Sequence, residues 1–133
     1  MIGVIDLNIS NISSVINSLN YLKIPHLIIK KDQDFEKINK LILPGVGSFE
    51  AGIKNLKKNN FDKKIIASVK IKKKPLFGIC LGMQLLMDES DESPGIKGLS
   101  LIRGNCVKFS NNIVVPHIGW NNIKKEKDCK ILK

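Results

Sequence analysis

An alternation runs through the first ninety residues and most constrains what this chain can fold into. Short apolar, β-branched runs are followed by segments whose apolar residues recur at helical spacing. Residues 1–6 read as a buried strand. Ile12, Val15, Ile16, Leu19 and Leu22 then predict a helix over 11–23, closed by Pro25. Residues 26–29 read as a second strand and 35–39 as a short connecting turn or helix. Leu41-Ile42-Leu43 reads as a third strand, stopped by Pro44-Gly45-Val46-Gly47. A helix with Ser48 as its cap follows. Another helix is expected over 62–72, a strand over 75–79, and a helix from Cys80 to about Met87. Strands and helices in this order imply an α/β fold: an open, mostly parallel sheet with helices on both faces. Ligands of such sheets sit beyond the carboxyl ends of the strands. Residues 6–11, residues 44–47 and Cys80 all fall at such ends.

After Gly95 the pattern changes. Residues 101–103, 107–109 and 113–115 read as short strands between polar turns, a short antiparallel excursion. The acidic stretch 88–93 reads as solvated surface loop, and 124–130 as a charged, weakly structured tail. No linker is long enough to split the chain, so residues 1–133 are expected to form one domain.

Gly78-Ile79-Cys80-Leu81-Gly82 carries the chemistry. A strand leads into it and Met83-Gln84-Leu85-Leu86 continues as helix. Two glycines flanking one residue remove the Cβ clashes of a sharp strand-to-helix reversal. The side chain between them points up from the sheet edge, and the next backbone N–H groups point the same way. A thiol placed there is favoured as thiolate by the helix N-terminus. The N–H groups can hold a developing oxyanion. That combination is acyl transfer by a cysteine.

The remaining composition excludes more than it suggests. The net charge of +10 comes almost wholly from lysine, spread along the chain. Its one dense run, 70–74, has no interleaved aromatic residues, as a single-stranded nucleic-acid platform would need, so no nucleic-acid partner is expected. No apolar run approaches the roughly 20 residues of a membrane span, and the N-terminus lacks a basic signal region. A cytoplasmic protein without a membrane partner is expected. Cys80, Cys106 and Cys129 form no CxxC pair, and His26 and His117 stand alone. No metal site is expected. Cys106 and Cys129 read as inert, and Asp6 as a residue that binds nearby backbone.

Three stretches together resemble one family: Pro44-Gly45-Val46-Gly47-Ser48-Phe49, Gly78-Ile79-Cys80-Leu81-Gly82-Met83-Gln84 and Pro116-His117-Ile118-Gly119-Trp120-Asn121. In order and spacing they look like the glutaminase subunits of imidazole glycerol phosphate synthase, class I glutamine amidotransferases of histidine biosynthesis. The opening, Asp6 with Asn11-Ile12-Ser13-Ser14-Val15, is similar too, with Asn8 and Ser10 where the family has glycines. The resemblance extends to about Ile123. It implies that Cys80 is the nucleophile that attacks glutamine, forms a glutamyl thioester and releases ammonia. It implies an oxyanion hole from the backbone N–H of Leu81 with that of Val46 or Gly47. Gly45, Gly47, Gly82 and Gln84 would border bound glutamine. The ammonia would pass to a separate (β/α)₈ cyclase subunit, with Asn11, Trp120 and Asn121 at or near that interface. No cofactor is implied.

The family also uses a histidine base and an orienting glutamate, two residues apart, after the Trp motif. The 133 residues contain no such pair, and His26 and His117 are poor substitutes. The sequence therefore reads as C-terminally truncated, with little or no glutaminase activity alone. Losing general acid–base help costs about 10²–10⁴-fold in rate. An open sheet edge and exposed apolar faces are expected as well. Two further readings stay open: a paralogue supplying ammonia for surface-sugar modification, and a non-catalytic subunit that only binds the cyclase. A flavodoxin-like nucleotide binder is disfavoured, because residues 44–47 form no GxGxxG fingerprint and no P-loop lysine follows.

Overall fold

The computed structural model describes residues 1–9, 11–109, 115–116 and 118–128. Four strands, β1 (Ile2–Ile5), β2 (His26–Ile29), β3 (Lys40–Gly45) and β4 (Leu76–Cys80), form one sheet in the order β2-β1-β3-β4, every pair parallel. Between them run α1 (Ile12–Tyr21), a 3-10 turn (Asp32–Glu36), α2 (Phe49–Lys58) and α3 (Phe61–Lys70). β4 leads without a loop into α4 (Leu81–Gln84). The strand–helix alternation thus stands as the sequence predicts.

Strand registers decide which apolar residues share a face. Ile5 pairs with Ile29, and Gly3 with both Leu27 and Leu41. On that face Ile5, Ile29, Leu41 and Leu43 join Phe35, Phe49, Ile53, Leu56, Phe61, Ile65, Leu81 and Leu85 in one buried cluster. It is walled by α2, α3 and α4. Phe35 meets Phe61 edge-on, ring centroids 5.5 Å apart, tying the 3-10 turn to α3. The opposite face carries Ile28, Val4, Ile42 and Phe77 in register. Here α1 packs against the sheet and buries Leu19. Coverage on this side is uneven: Val4 is fully buried, whereas Phe77, on the edge strand β4, is 50% exposed.

Three expectations about the strands and helices change. First, β3 continues through Pro44 to Gly45, where it pairs with Cys80. As the first strand to neighbour β4 it needs those residues to reach the elbow. Second, α4 ends at Gln84 and the chain turns through 85–87 with i→i+3 bonds, Leu86 N–H to Met83 O and Met87 N–H to Gln84 O. The carbonyls of Leu85 and Leu86 accept instead from Leu99, Leu101 and Ile102 N–H, so a returning segment replaces the next helical turn. Third, the excursion is parallel. β5 (Glu89–Ser90) pairs with β6 (Asn105–Cys106) in a two-residue parallel ladder, and 101–103 and 107–109 form no strand. Of the strand expected at 113–115, only Val115 lies within the described residues.

The acidic stretch is not plain solvated surface. Asp88 accepts from Gly104 N–H (2.9 Å), Asp91 from Lys108 N–H (3.1 Å) and Glu92 from Phe49 N–H (3.0 Å). Three carboxylates thus bind backbone donors of two separate segments, the start of α2 and the stretch around β6, each a charge-assisted bond. Gly104 N–H, then the Ser100 hydroxyl, hold the Asp88 carboxyl below its ordinary range.

Candidate active site

Cys80 has φ 54° and ψ −119°, a conformation that glycine adopts readily and other residues avoid. The flanking glycines explain how the chain gets there. A Cβ on Gly78 would stand 2.6 Å from Met83 Cα, and one on Gly82 would strike the Leu43 carbonyl. A Cβ on Gly45 would lie 3.1 Å from Leu81 Cβ and 3.2 Å from Gly82 N. The start of α4 is therefore seated directly on the ends of β3 and β4, backbone against backbone. Leu81 and Leu85 point down into the core, fixing the helix from below. The Cys80 side chain is left exposed at the carboxyl edge of the sheet.

Gly45 and Cys80 are register partners, so the loop after Gly45 starts beside the thiol. Val46 is 49% exposed, and Gly47 has φ +102° with nothing within 4 Å of its would-be Cβ. Beyond them α2 begins, its N-cap Ser48 accepting from Ala51 N–H.

Gly47, Cys80 and Gln84 line one cavity of about 560 Å³. Its opposite wall comes from Ser90, Glu92, Cys106, Lys108 and Phe109, none of which the sequence pointed to as site residues. Cys106 faces the backbone of α4, its Sγ 3.8 Å from Gln84 O. Burial pushes the Cys106 thiol up. No sequence pattern marks these residues, because they come from short segments pinned by side-chain-to-backbone bonds.

The other candidates are placed as follows. Gly45 and Gly82 lie under the elbow, buried, and do not line the cavity. Asn11 is the exposed N-cap of α1, without a side-chain capping bond. Trp120 is fully exposed and Asn121 exposed, and neither lines the cavity. Asp6 accepts from Asn8 N–H (2.8 Å), the local backbone role expected of it. His26 starts β2, at the amino end and the far edge of the sheet, its Nδ1 2.9 Å from Ile24 O. It is remote from Cys80. His117, Ser10 and Cys129 lie outside the described residues. Among the described residues no cluster of three or more His, Cys, Asp or Glu could hold a metal ion. No helix among them is long and apolar enough to cross a membrane.

The chain has known relatives. The chain is 40% identical over 134 residues to the imidazole glycerol phosphate synthase subunit HisH of Methanocaldococcus jannaschii, covering 100% of this chain and 66% of the relative. It is 41% identical over 132 residues to subunit HisH of Pyrococcus furiosus, covering 99% and 63%. Against subunit HisH 1 of Campylobacter jejuni it is 40% identical over 126 residues, covering 93% and 63%. The chain thus spans slightly under two thirds of the length of these relatives. A solved structure described as a glutamine amidotransferase superposes with a TM-score of 0.64 at 24% identity, over 74% of this chain and 51% of that one, and shares the fold. The family model for class-I glutamine amidotransferases matches residues 3–133, and the chain belongs to that family.

Proposed function

We propose that this chain provides the glutaminase chemistry of an ammonia-supplying amidotransferase. Cys80 Sγ attacks the side-chain amide carbon of glutamine, the C–N bond breaks, and the nitrogen leaves as ammonia with the proton that the thiol gives up. Water then cleaves the glutamyl thioester to give glutamate and the free thiol. The carrying observation is the strained, exposed Cys80 at the mouth of a cavity, seated between two glycine-mediated backbone contacts. Strain held in place by surrounding packing concentrates at functional sites.

In this reading the N–H of Leu81, with that of Val46 or Gly47, receives the oxyanion. Removing one such donor typically costs about 10²–10³-fold in rate. Gln84 and Gly47 border the substrate, while Gly45 and Gly82 allow the close approach that shapes the hole. His26 is too remote to serve as base. Because the relatives are by name subunits of imidazole glycerol phosphate synthase, the ammonia would pass to a (β/α)₈ cyclase subunit. Asn11, Trp120 and Asn121 would lie at or near that interface, where a fully exposed tryptophan suits a binding hot spot.

A glutamine-shaped chloroketone tests the reading without requiring turnover. Peptide mass spectrometry should find it on Cys80, with excess glutamine slowing the reaction. Labelling shared evenly between Cys80 and Cys106, and indifferent to glutamine, would refute it.

A further inference from the structure

Helix α2 begins four residues after Gly45, and its first turn is capped from a distant part of the chain. Phe49 N–H donates to Glu92 Oε2 (3.0 Å), Glu50 N–H to Ser93 Oγ (3.2 Å) and Ala51 N–H to Ser48 Oγ (3.3 Å). Gly52 N–H makes the first intrahelical bond, to Ser48 O. Three donors of this helix start, those of Phe49, Glu50 and Ala51, are therefore taken, two of them by residues 43 positions along the chain. Glu92 and Ser93 are themselves held. Ser93 N–H donates to Ser90 O and Glu92 N–H to Ser90 Oγ, while Asp91 N–H donates to Cys106 O. Ser90 is buried.

The loop of Val46, Gly47 and Ser48 thus has two anchors. At one end Gly45 pairs with Cys80 in the sheet. At the other, Phe49 and Glu50 are tied to the 90–93 turn. Between the anchors Val46 is half-exposed and nothing approaches the Cβ position of Gly47. Its own packing does not set where the Val46 and Gly47 N–H groups point.

We propose that Glu92 and Ser93 are positioning residues that act through the start of α2, fixing the Val46–Gly47 backbone at the height where it receives the oxyanion formed at Cys80. This rests on the glutaminase reading above. Glu92 also lines the cavity, so the alternative is that its charge touches substrate directly. The two roles differ in what they need. Capping an N–H needs an acceptor oxygen, which Gln retains. Binding a substrate cation needs the charge.

The test compares two electrophiles at Cys80, followed by mass spectrometry on the chain and its variants. A glutamine-shaped chloroketone builds up an oxyanion as it reacts, whereas iodoacetamide does not. Glu92→Ala and Ser93→Ala are expected to slow the maximal chloroketone rate about 10- to 100-fold, a penalty in keeping with small misplacements at reacting centres. The iodoacetamide rate should hold, and Glu92→Gln should restore most of the loss. Amide hydrogen exchange of Phe49 and Glu50 should speed up in the Ala variants, which separates loop release from global unfolding. Three outcomes would overturn the proposal: chloroketone rates unchanged in both Ala variants, Glu92→Gln as weak in apparent affinity as Glu92→Ala with Ser93→Ala silent, or both electrophiles slowed equally. If the wild-type chain fails to take the chloroketone at Cys80 in preference to Cys106, the glutaminase reading falls and takes this proposal with it.

Discussion

Gly82 rests on the carbonyl of Leu43, so closely that a β-carbon at position 82 would overlap that oxygen. The contact sets the height of α4 above β3, and with it the height of Cys80. Gly82→Ala must push the helix away from the strand. Overpacking of this kind costs about 1–3 kcal/mol. A lower urea midpoint is expected, together with slower chloroketone labelling of Cys80. Gly95→Ala is the control: its φ of +81° strains alanine, yet nothing lies within 4 Å, so stability alone should fall. Equal labelling rates in Gly82→Ala and wild type would show that this contact does not place the thiol.

Cys80 holds a backbone conformation that costs a non-glycine residue about 1–3 kcal/mol. Cys80→Gly should therefore fold more stably than wild type, by about 1 kcal/mol, while losing all reaction with glutamine analogues. Chemical denaturation of the two chains side by side checks it. A glycine variant less stable than wild type would mean that the thiol's contacts outweigh the strain.

Asp34 is buried in the 3-10 turn and accepts from Lys30 N–H, Lys31 N–H and Lys37 Nζ. The Lys30 backbone bond is the largest cause holding its carboxyl below the ordinary range. A carboxyl with a lowered folded-state pKa stabilises the fold above the unfolded-state value, roughly 4. That stabilisation is lost as pH falls through the folded-state value. Thermal melts from pH 7 down to pH 2.5 should show wild type losing stability below about pH 4. Asp34→Asn should lose less over the same window, from a lower starting point. Parallel curves would remove Asp34 from the acid response.

Cys80 is exposed, whereas burial pushes the Cys106 thiol up and its Sγ faces the Gln84 carbonyl. Alkylation by iodoacetamide at pH 7.5 should therefore modify Cys80 well before Cys106. Peptide mapping over a time course reads the order directly, and Cys106 reacting first would reverse the assignment of the accessible nucleophile.

The legible parts of the fold were those written in local pattern. Helical spacing of Ile12 to Leu22 and the β-branched runs at 1–6 and 26–29 placed the sheet, because period and branching act within a few residues. The elbow was legible for the same reason: Gly78 and Gly82 are needed by contacts within one turn of Cys80 and with the neighbouring strand end. The Glu92 and Ser93 caps were not. A carboxylate that binds an amide 43 residues away has no spacing to betray it, and 88–93 looks like any solvated acidic loop. The two-residue β5–β6 ladder and the short α4 escaped for a similar cause. Both are set by where segment 98–106 returns, which local propensity does not encode.

Within Gly78-Ile79-Cys80-Leu81-Gly82 the demands of the fold and of the chemistry can be told apart. Gly78 and Gly82 are required by backbone contact and Leu81 by the core, whatever the chain does. Cys80 is different: the architecture would exchange it, since glycine suits its torsion angles better. A descendant relieved of its chemical duty would keep the glycines and shed the sulfur first. In the proposed glutaminase reading, the thiol at position 80, rather than the motif around it, is the part of this turn held for reactivity.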